Sequence, residues 1–268
     1  MIYSLYVLDD YFTTILFVVS GFGSGIYIGI ASGTSGSFMI PLLTIFIGSS
    51  IYQSIGTSLL IDCIIGGVAG IVFIKNRNVD FRTGLLLAIF GVIGAFIGGN
   101  FTSGASESSL NLFIGVFLII LGLSFTIYGI NRNLEYVEEK IRFQFFKNNK
   151  IISLILFGFL IGFGSGFTGM GGGGFIALIL IFILGYNIHT AIGTSLVMMF
   201  FIAGSGALSH ILNNEFVINA ALISGCTAGI GAVLGSHFAN RINEEKLGRF
   251  IGIIILLLGI ALIIKILI

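Results

Sequence analysis

Two short clusters of glycine and hydroxyl residues are where this sequence could do chemistry. The first is Gly33, Thr34, Ser35, Gly36 and Ser37; the second is Thr168, Gly169, Gly171, Gly172 and Gly173. Each interrupts a long apolar stretch, residues 11–47 in one case and 151–184 in the other. Backbone that leaves a helix in apolar surroundings exposes N–H and C=O groups that are costly if unpaired. A helix that restarts after the break points free N–H groups and the positive end of its dipole at the gap. Glycine lets backbone approach a ligand closely, and Thr34, Ser35, Ser37 and Thr168 add hydroxyl donors. The chemistry these residues suit is the noncovalent docking of a small anion.

Further polar groups lie near these clusters. Thr57 and Ser58, and likewise Thr194 and Ser195, fall about one turn into the helix that follows each interrupted stretch. Their hydroxyls reach either the same cavity or a carbonyl of their own helix; their repetition in register favours the cavity. Asp62 is the only acid well inside a predicted helix, and intramembrane carboxylates are expensive and tend to be functional. It reads either as a site for a coupling proton or cation, or as an ordinary hydrogen-bonded Asp. His210 and His237, near helix ends, read as structural or interfacial. No cluster has metal-ligand spacing and no nucleophile–base pair is evident, so neither an enzyme nor a cofactor or metal is expected. The run from Gly164 to Gly169 fits the dinucleotide fingerprint, but no strand precedes it, so a nucleotide site is rejected. Cys63 and Cys226 read as small buried hydrophobes. A net charge of +1 without a basic patch gives no sign of nucleic acid. Asp9 and Asp10 precede the first apolar run, which is therefore expected to be mature structure and not a cleaved signal.

The elements that hold these residues must be membrane helices. Of 268 residues, 56% are hydrophobic and 9% charged, against roughly a quarter charged in soluble domains. Shifting the sequence by 137 residues superposes two halves without a gap. Gly21, Gly25 and Gly29 fall on Gly158, Gly162 and Gly166, and the run Ile55 to Leu59 falls on Ile192 to Leu196. Residues 1–130 form one membrane repeat and 151–268 the other, with the charged segment 131–150 between them. In each half three ordinary helices follow the interrupted stretch, near 51–74, 83–101 and 108–130, and near 188–211, 217–239 and 246–267. The expected fold is all-α and polytopic. The four-residue glycine ladders, Gly21 to Gly33 and Gly158 to Gly166, read as helix-packing seams.

The first stretch of each half is too long for one crossing. A straight helix of ~37 residues would extend about 55 Å, against a hydrocarbon core of ~30 Å. It therefore forms a re-entrant hairpin or crosses twice; a single crossing with an overhang fits less well. Of the twelve Lys and Arg residues, nine would face three across the membrane with single crossings. If each stretch returns, the split is eleven against one, and the halves are inverted. The positive-inside rule favours the second arrangement and places the basic loops 75–82, 131–150 and 241–249 in the cytoplasm, in a cell-membrane protein.

A Gly-rich first stretch, a Gly-Thr-Ser run after the break, a polar loop (Asn78-Val-Asp-Phe81) and a Gly-x-x-Gly-x-x-x-Gly helix (Gly91 to Gly98) recur in order in both halves. This pattern resembles the TauE/SafE family of sulfite exporters and related permeases. The resemblance covers nearly the whole chain and implies transport of small sulfur-containing anions or organic acids such as sulfite and sulfonates. Family members commonly carry Gly-Gly near the break and then a proline. Here the first half has Ser35-Gly36 and Pro41, and the second has Gly172-Gly173 without a proline, so the two half-sites are expected to be unequal. The expected activity is secondary transport of a small anion by alternating access around the two breaks, with an anion-selective channel as the alternative. Membrane lipids surround the chain; protons as coupling ion and a homo-oligomer both stay open. Cysteines placed at positions 78 and 243 should label from the same face of the membrane; labelling from opposite faces would sink the inverted arrangement.

Overall fold

A computed structural model describes residues 2–140, 146, 148–238 and 244–267. Among these the chain is helical and no strand forms. The first half comprises α1 (Ile2–Ala31), α2 (Gly36–Leu42) with a π-helical continuation over Leu43–Ile47, α3 (Ile51–Lys75), α4 (Phe81–Thr102) and α5 (Glu107–Lys140). The second comprises α6 (Lys150–Thr168), α7 (Gly173–Phe182), α8 (Ile188–Leu212), α9 (Ile218–Phe238) and α10 (Glu244–Leu267). Seven described helices are long and apolar enough to cross a membrane. Outward-facing side chains such as Ile89, Ile93, Leu222, Ile230 and Leu257 are exposed, a surface suited to lipid tails and not to water.

Local signals explain the boundaries. Ser50 and Gln53 form a reciprocal capping box at the start of α3, and Asn187 caps α8 by accepting from the Thr190 amide at 2.9 Å; both satisfy otherwise orphaned N–H groups. Helix α5 runs ten residues into the segment expected as a linker, because no Gly or Pro interrupts residues 131–140. Parts of two loops expected in the cytoplasm, 141–145 with 147 and 241–243, lie outside the described residues.

The 137-residue repeat of the sequence reappears in the backbone. Left-handed residues come in pairs at that offset: Ser32 (φ 51°) with Gly169 (75°), Gly48 (72°) with Gly185 (70°), and Arg77 (58°) with Asn214 (58°). Among the described residues one member lacks a partner. Gly172 has φ 76°, whereas its counterpart Ser35 has φ −69°. The symmetry therefore fails at the break itself.

The halves interlock. Helix α1 packs on α9, and α6 on the equivalent α4, through the glycine ladders. A Cβ at Gly25 would lie 2.0 Å from the Ala228 carbonyl oxygen, and one at Gly162 would lie 2.0 Å from that of Gly91. These ladders are packing seams in which backbones nearly touch. Gly21, Gly25 and Gly29 face Ser224, Ala228 and Ala232 in rising order, so α1 and α9 run parallel. Equivalent helices instead run antiparallel. Gly115 meets Ile263 and Gly122 meets Leu256 where α5 packs on α10, while Gly66 meets Leu196 and Gly56 meets His210 where α3 packs on α8. Helix α2 returns alongside α3: Ser35 bonds to Ser58 near its start, and Thr44 to Ser54 further along. Its run, Gly36–Ile47, rises about 18 Å, too short to cross a ~30 Å core.

Two neighbouring glycines of α6 give a direct test. Gly164 has nothing within 4 Å of a Cβ position, whereas Gly162 is blocked by Gly91 backbone. Gly164→Ala is expected to leave the detergent-solubilised thermal midpoint unchanged or higher, and Gly162→Ala to lower it, measured on a fluorescent-protein fusion by size exclusion after heating. Equal behaviour of the two variants would contradict the seam.

Candidate functional site

The two breaks meet at the centre of the bundle, each gripped by the other half. Ser58 of α3 donates to the carbonyl oxygen of Gly169 at 2.8 Å. Its equivalent, Ser195 of α8, shares a hydrogen bond with Ser32 Oγ at 2.6 Å, and Ser32 is the equivalent of Gly169. The breaks also touch each other: a Cβ at Gly36 would sit 2.4 Å from the Gly169 oxygen, and one at Gly173 3.1 Å from the Gly33 oxygen. Gly33, Ser35, Gly36, Ser37, Gly169, Gly171, Gly172 and Gly173 are all buried, as is Thr168, while Thr34 is half-buried.

Asp62 ties the crossing together. It is fully buried. Its Oδ2 accepts from Thr34 Oγ1 at 2.7 Å and from the Gly171 amide at 3.0 Å, and its Oδ1 accepts from the Ser35 amide at 2.6 Å. One carboxylate thus holds both breaks, and it takes amides from the first helix restart and from the second break. The gap before α2 is already filled, and the group that fills it is a carboxyl of the protein itself. The equivalent of Asp62 is Met199, whose sulfur lies 2.8 Å from a Cβ position at Gly173. Helix α7 begins at the left-handed Gly172 with no side-chain cap, and among the described residues the glycines that open it meet no carboxylate. The two helix starts thus differ in what fills them: a carboxyl group sits at the start of α2, and the Met199 sulfur lies beside the start of α7.

Other sequence candidates have different partners. Thr57 Oγ1 donates to the Gln53 carbonyl at 2.7 Å and accepts from the Val217 amide at 2.8 Å. Its equivalent Thr194 accepts from the Asp80 amide at 2.9 Å, and Asp80 is the equivalent of Val217. Both threonines pin the loop of the opposite half and do not line the crossing. Thr168 back-bonds to Gly164 at 2.7 Å and borders a cavity of about 260 Å³ that is largely apolar, lined also by Phe113, Phe117, Ser165, Met170 and Phe175. Outside the membrane helices, Tyr186 bonds to Asp80, as does Thr83 from the first turn of α4. The Tyr186 hydroxyl is the main cause holding the Asp80 carboxyl below its usual range, while burial and then Asp80 push the Tyr186 phenol up.

The sequence matches a known group of proteins over nearly its whole length. The family model described as "Sulfite exporter TauE/SafE" matches residues 12–262. The chain belongs to this family. The TauE/SafE chain is 24% identical over 267 residues to "Probable membrane transporter protein YunE" of Bacillus subtilis, covering 93% of this chain and 97% of that protein. It is 26% identical over 261 residues to a "Probable membrane transporter protein" of Xylella fastidiosa, covering 92% and 95%. A further B. subtilis relative, "Probable membrane transporter protein YdhB", is 38% identical over 94 residues, 35% of this chain. No solved structure gives a significant match. As a TauE/SafE member the chain is an integral membrane protein of a transporter family.

Two features of the TauE/SafE crossing escaped sequence reasoning. Ser32 is the first, although a signal was there: the 137-residue offset places it on Gly169, a glycine of the second break. The salt bridge of His210 with Glu215 carried no repeat signal, since their counterparts are Phe73 and Asn78. Removing the central carboxylate should be costly. Asp62→Ala strands the buried Ser35 amide, a loss of about 1–3 kcal/mol, and leaves the Gly171 amide only the Thr34 hydroxyl, so its thermal midpoint in detergent should fall below that of Asp62→Asn, which keeps one acceptor oxygen. Equal midpoints for wild type and Asp62→Ala would show that the carboxylate holds nothing.

Proposed function

We propose that this chain is a secondary transporter of a small anion, sulfite or a sulfonate or related organic oxyanion, and that transport proceeds by alternating access around the crossed breaks. The observation that carries this reading is the unequal pair of helix starts: α2 is closed by Asp62, while α7 opens without a cap beside Met199. An uncapped helix start attracts an anion through its amides and dipole. The resident carboxylate occupies the place a substrate would take in the first half, so the transported anion docks at Gly172 and Gly173. Ser32 stands close by; its hydroxyl, which donates to Ser195 while Ser195 donates to the Ile192 carbonyl, turns to the anion when the crossing opens.

Antiparallel packing of equivalent helices supports an inverted arrangement of the halves in the bilayer, as the eleven-against-one charge split does. In that arrangement the loops 75–82, 131–150 and 241–249 share the cytoplasmic face. Because each half packs chiefly on the other, the bodies that rock are helix bundles drawn from both halves, and the buried crossing between them corresponds to an occluded state. A paired break at the centre of an inverted repeat is a common construction of carrier sites.

The test is flux into proteoliposomes. Gly36→Val and Gly173→Val place side-chain atoms where the opposite break lies, so both should lose most sulfite flux while still eluting as folded protein. Normal flux by both variants would overturn the site. Counterflow of labelled sulfite that saturates with concentration identifies a carrier; flux that never saturates identifies a channel and rejects alternating access.

A further inference from the structure

His210, two residues before the end of α8, is fully buried. Its Nε2 lies 3.1 Å from the carbonyl oxygen of Gly166, and its Nδ1 lies 2.7 Å from Oε2 of Glu215. A carbonyl oxygen only accepts, so Nε2 carries a hydrogen. If the imidazole is neutral, Nδ1 is then a bare acceptor, and an ionised carboxylate opposite it would set two lone pairs face to face. A proton must therefore lie between them. The pair is either imidazolium with carboxylate or imidazole with carboxylic acid, and in both forms it holds one proton that can be released.

The surroundings isolate this proton. Glycine 56 of α3 closes on the ring, since a Cβ at Gly56 would lie 2.7 Å from the His210 Cβ. Thr102 at the end of α4 bonds to the carbonyl oxygen of Phe167 at 3.2 Å. Ser103 donates to Glu215 Oε1 at 2.9 Å. From α3, α4 and α6, packed against the ring, no ionisable group faces it among the described residues; Glu215 is its one charged neighbour, and no Lys or Arg bridges to either. The side chain of Glu215 is 16% exposed, so the pair reaches from the loop surface to the backbone of α6. Gly166 lies in the last turn of that helix, directly before the second break. The first half has Phe73 and Asn78 in these places, so the device exists once.

We propose that His210 and Glu215 form a proton-binding site that couples proton movement to the anion transport proposed above. Protons enter and leave through Glu215 from the face bearing the loop between α8 and α9. With the proton bound, the ring holds the Gly166 carbonyl and with it the end of α6. Release to water leaves neutral imidazole beside carboxylate; the one remaining ring hydrogen sits on Nδ1 toward Glu215, Nε2 then sets a bare lone pair against the Gly166 carbonyl, and the end of α6 loses this anchor. The coupling rests on the transport reading, whereas the proton rests on the geometry alone.

The experiment has two arms. Protein labelled with ¹⁵N-histidine in nanodiscs reports the protonation of His210, assigned by its loss in His210→Phe, a variant carrying the residue that the first half uses at this place. Infrared spectra report any carboxylic acid band lost in Glu215→Gln. Near neutral pH the wild type should show either a doubly protonated His210 or that acid band. A neutral imidazole with no such band would overturn the site. In proteoliposomes holding a trapped pH dye, a gradient of methanesulfonate, which does not titrate, should drive proton movement in wild type. In His210→Phe the proton signal should vanish while sulfonate counterflow persists. Equal proton movement in both proteins would overturn the coupling. If even the wild type moves no sulfonate, the transport reading is in difficulty, and the spectra still decide whether the proton is there.

Discussion

Everything at the centre of this protein depends on satisfying backbone that has left its helix where no water can reach it. The Asp62 carboxylate does so with three donors drawn from both halves, the Thr34 hydroxyl and the amides of Ser35 and Gly171. A single charged group in apolar surroundings is expensive unless hydrogen-bonded. Here its cost is offset by the same polar groups whose own burial would otherwise be unfavourable. The restart of α2 and the second break thus share one stabilising group. That mutual dependence explains why the breaks are in contact although they lie far apart along the chain.

Around this point the structure is built by exchange. Each half supplies a serine that grips the break of the other, Ser58 to Gly169 and Ser195 to Ser32. Each supplies a threonine that pins a loop of the other, Thr57 to Val217 and Thr194 to Asp80. Each sends its first helix against the other half's α9 or α4. Such an arrangement leaves each half little packing of its own and concentrates the differences at a few positions. Those differences fall together: Asp62 against Met199, Ser35 against Gly172, and His210 with Glu215 against Phe73 with Asn78. A symmetric frame with asymmetric polar groups allows one break to stay closed while the other responds to ligand.

Much of the frame was legible in the sequence because glycine spacing and hydropathy survive duplication. The three ordinary helices of each half, the two interrupted stretches and the packing role of the ladders follow from residue type and offset. The Thr57 and Thr194 hydroxyls were less legible. Adjacent residues on a helix point about 100° apart, so the serine of each Thr-Ser pair faces the crossing and the threonine faces a loop. Sequence proximity alone does not separate them. Asp62 was visible as an anomaly, but its partners were not, because Gly171 shows no side chain and its amide is available only through the left-handed turns around it. Glu215 gave no signal at all, since an acid in a short loop is ordinary until the fold sets it against a buried ring.

The glycine seam between α1 and α9 bears on how the protein is made. Helix α1 enters the membrane early, yet the backbone groove into which it fits belongs to a helix synthesised near the end of the chain. Until then its glycine ladder faces lipid, which fills such a groove poorly. Assembly therefore cannot proceed hairpin by hairpin as the chain emerges. The first half must wait, inserted but loosely packed, and the final structure closes around it in a late step that involves nearly every helix at once.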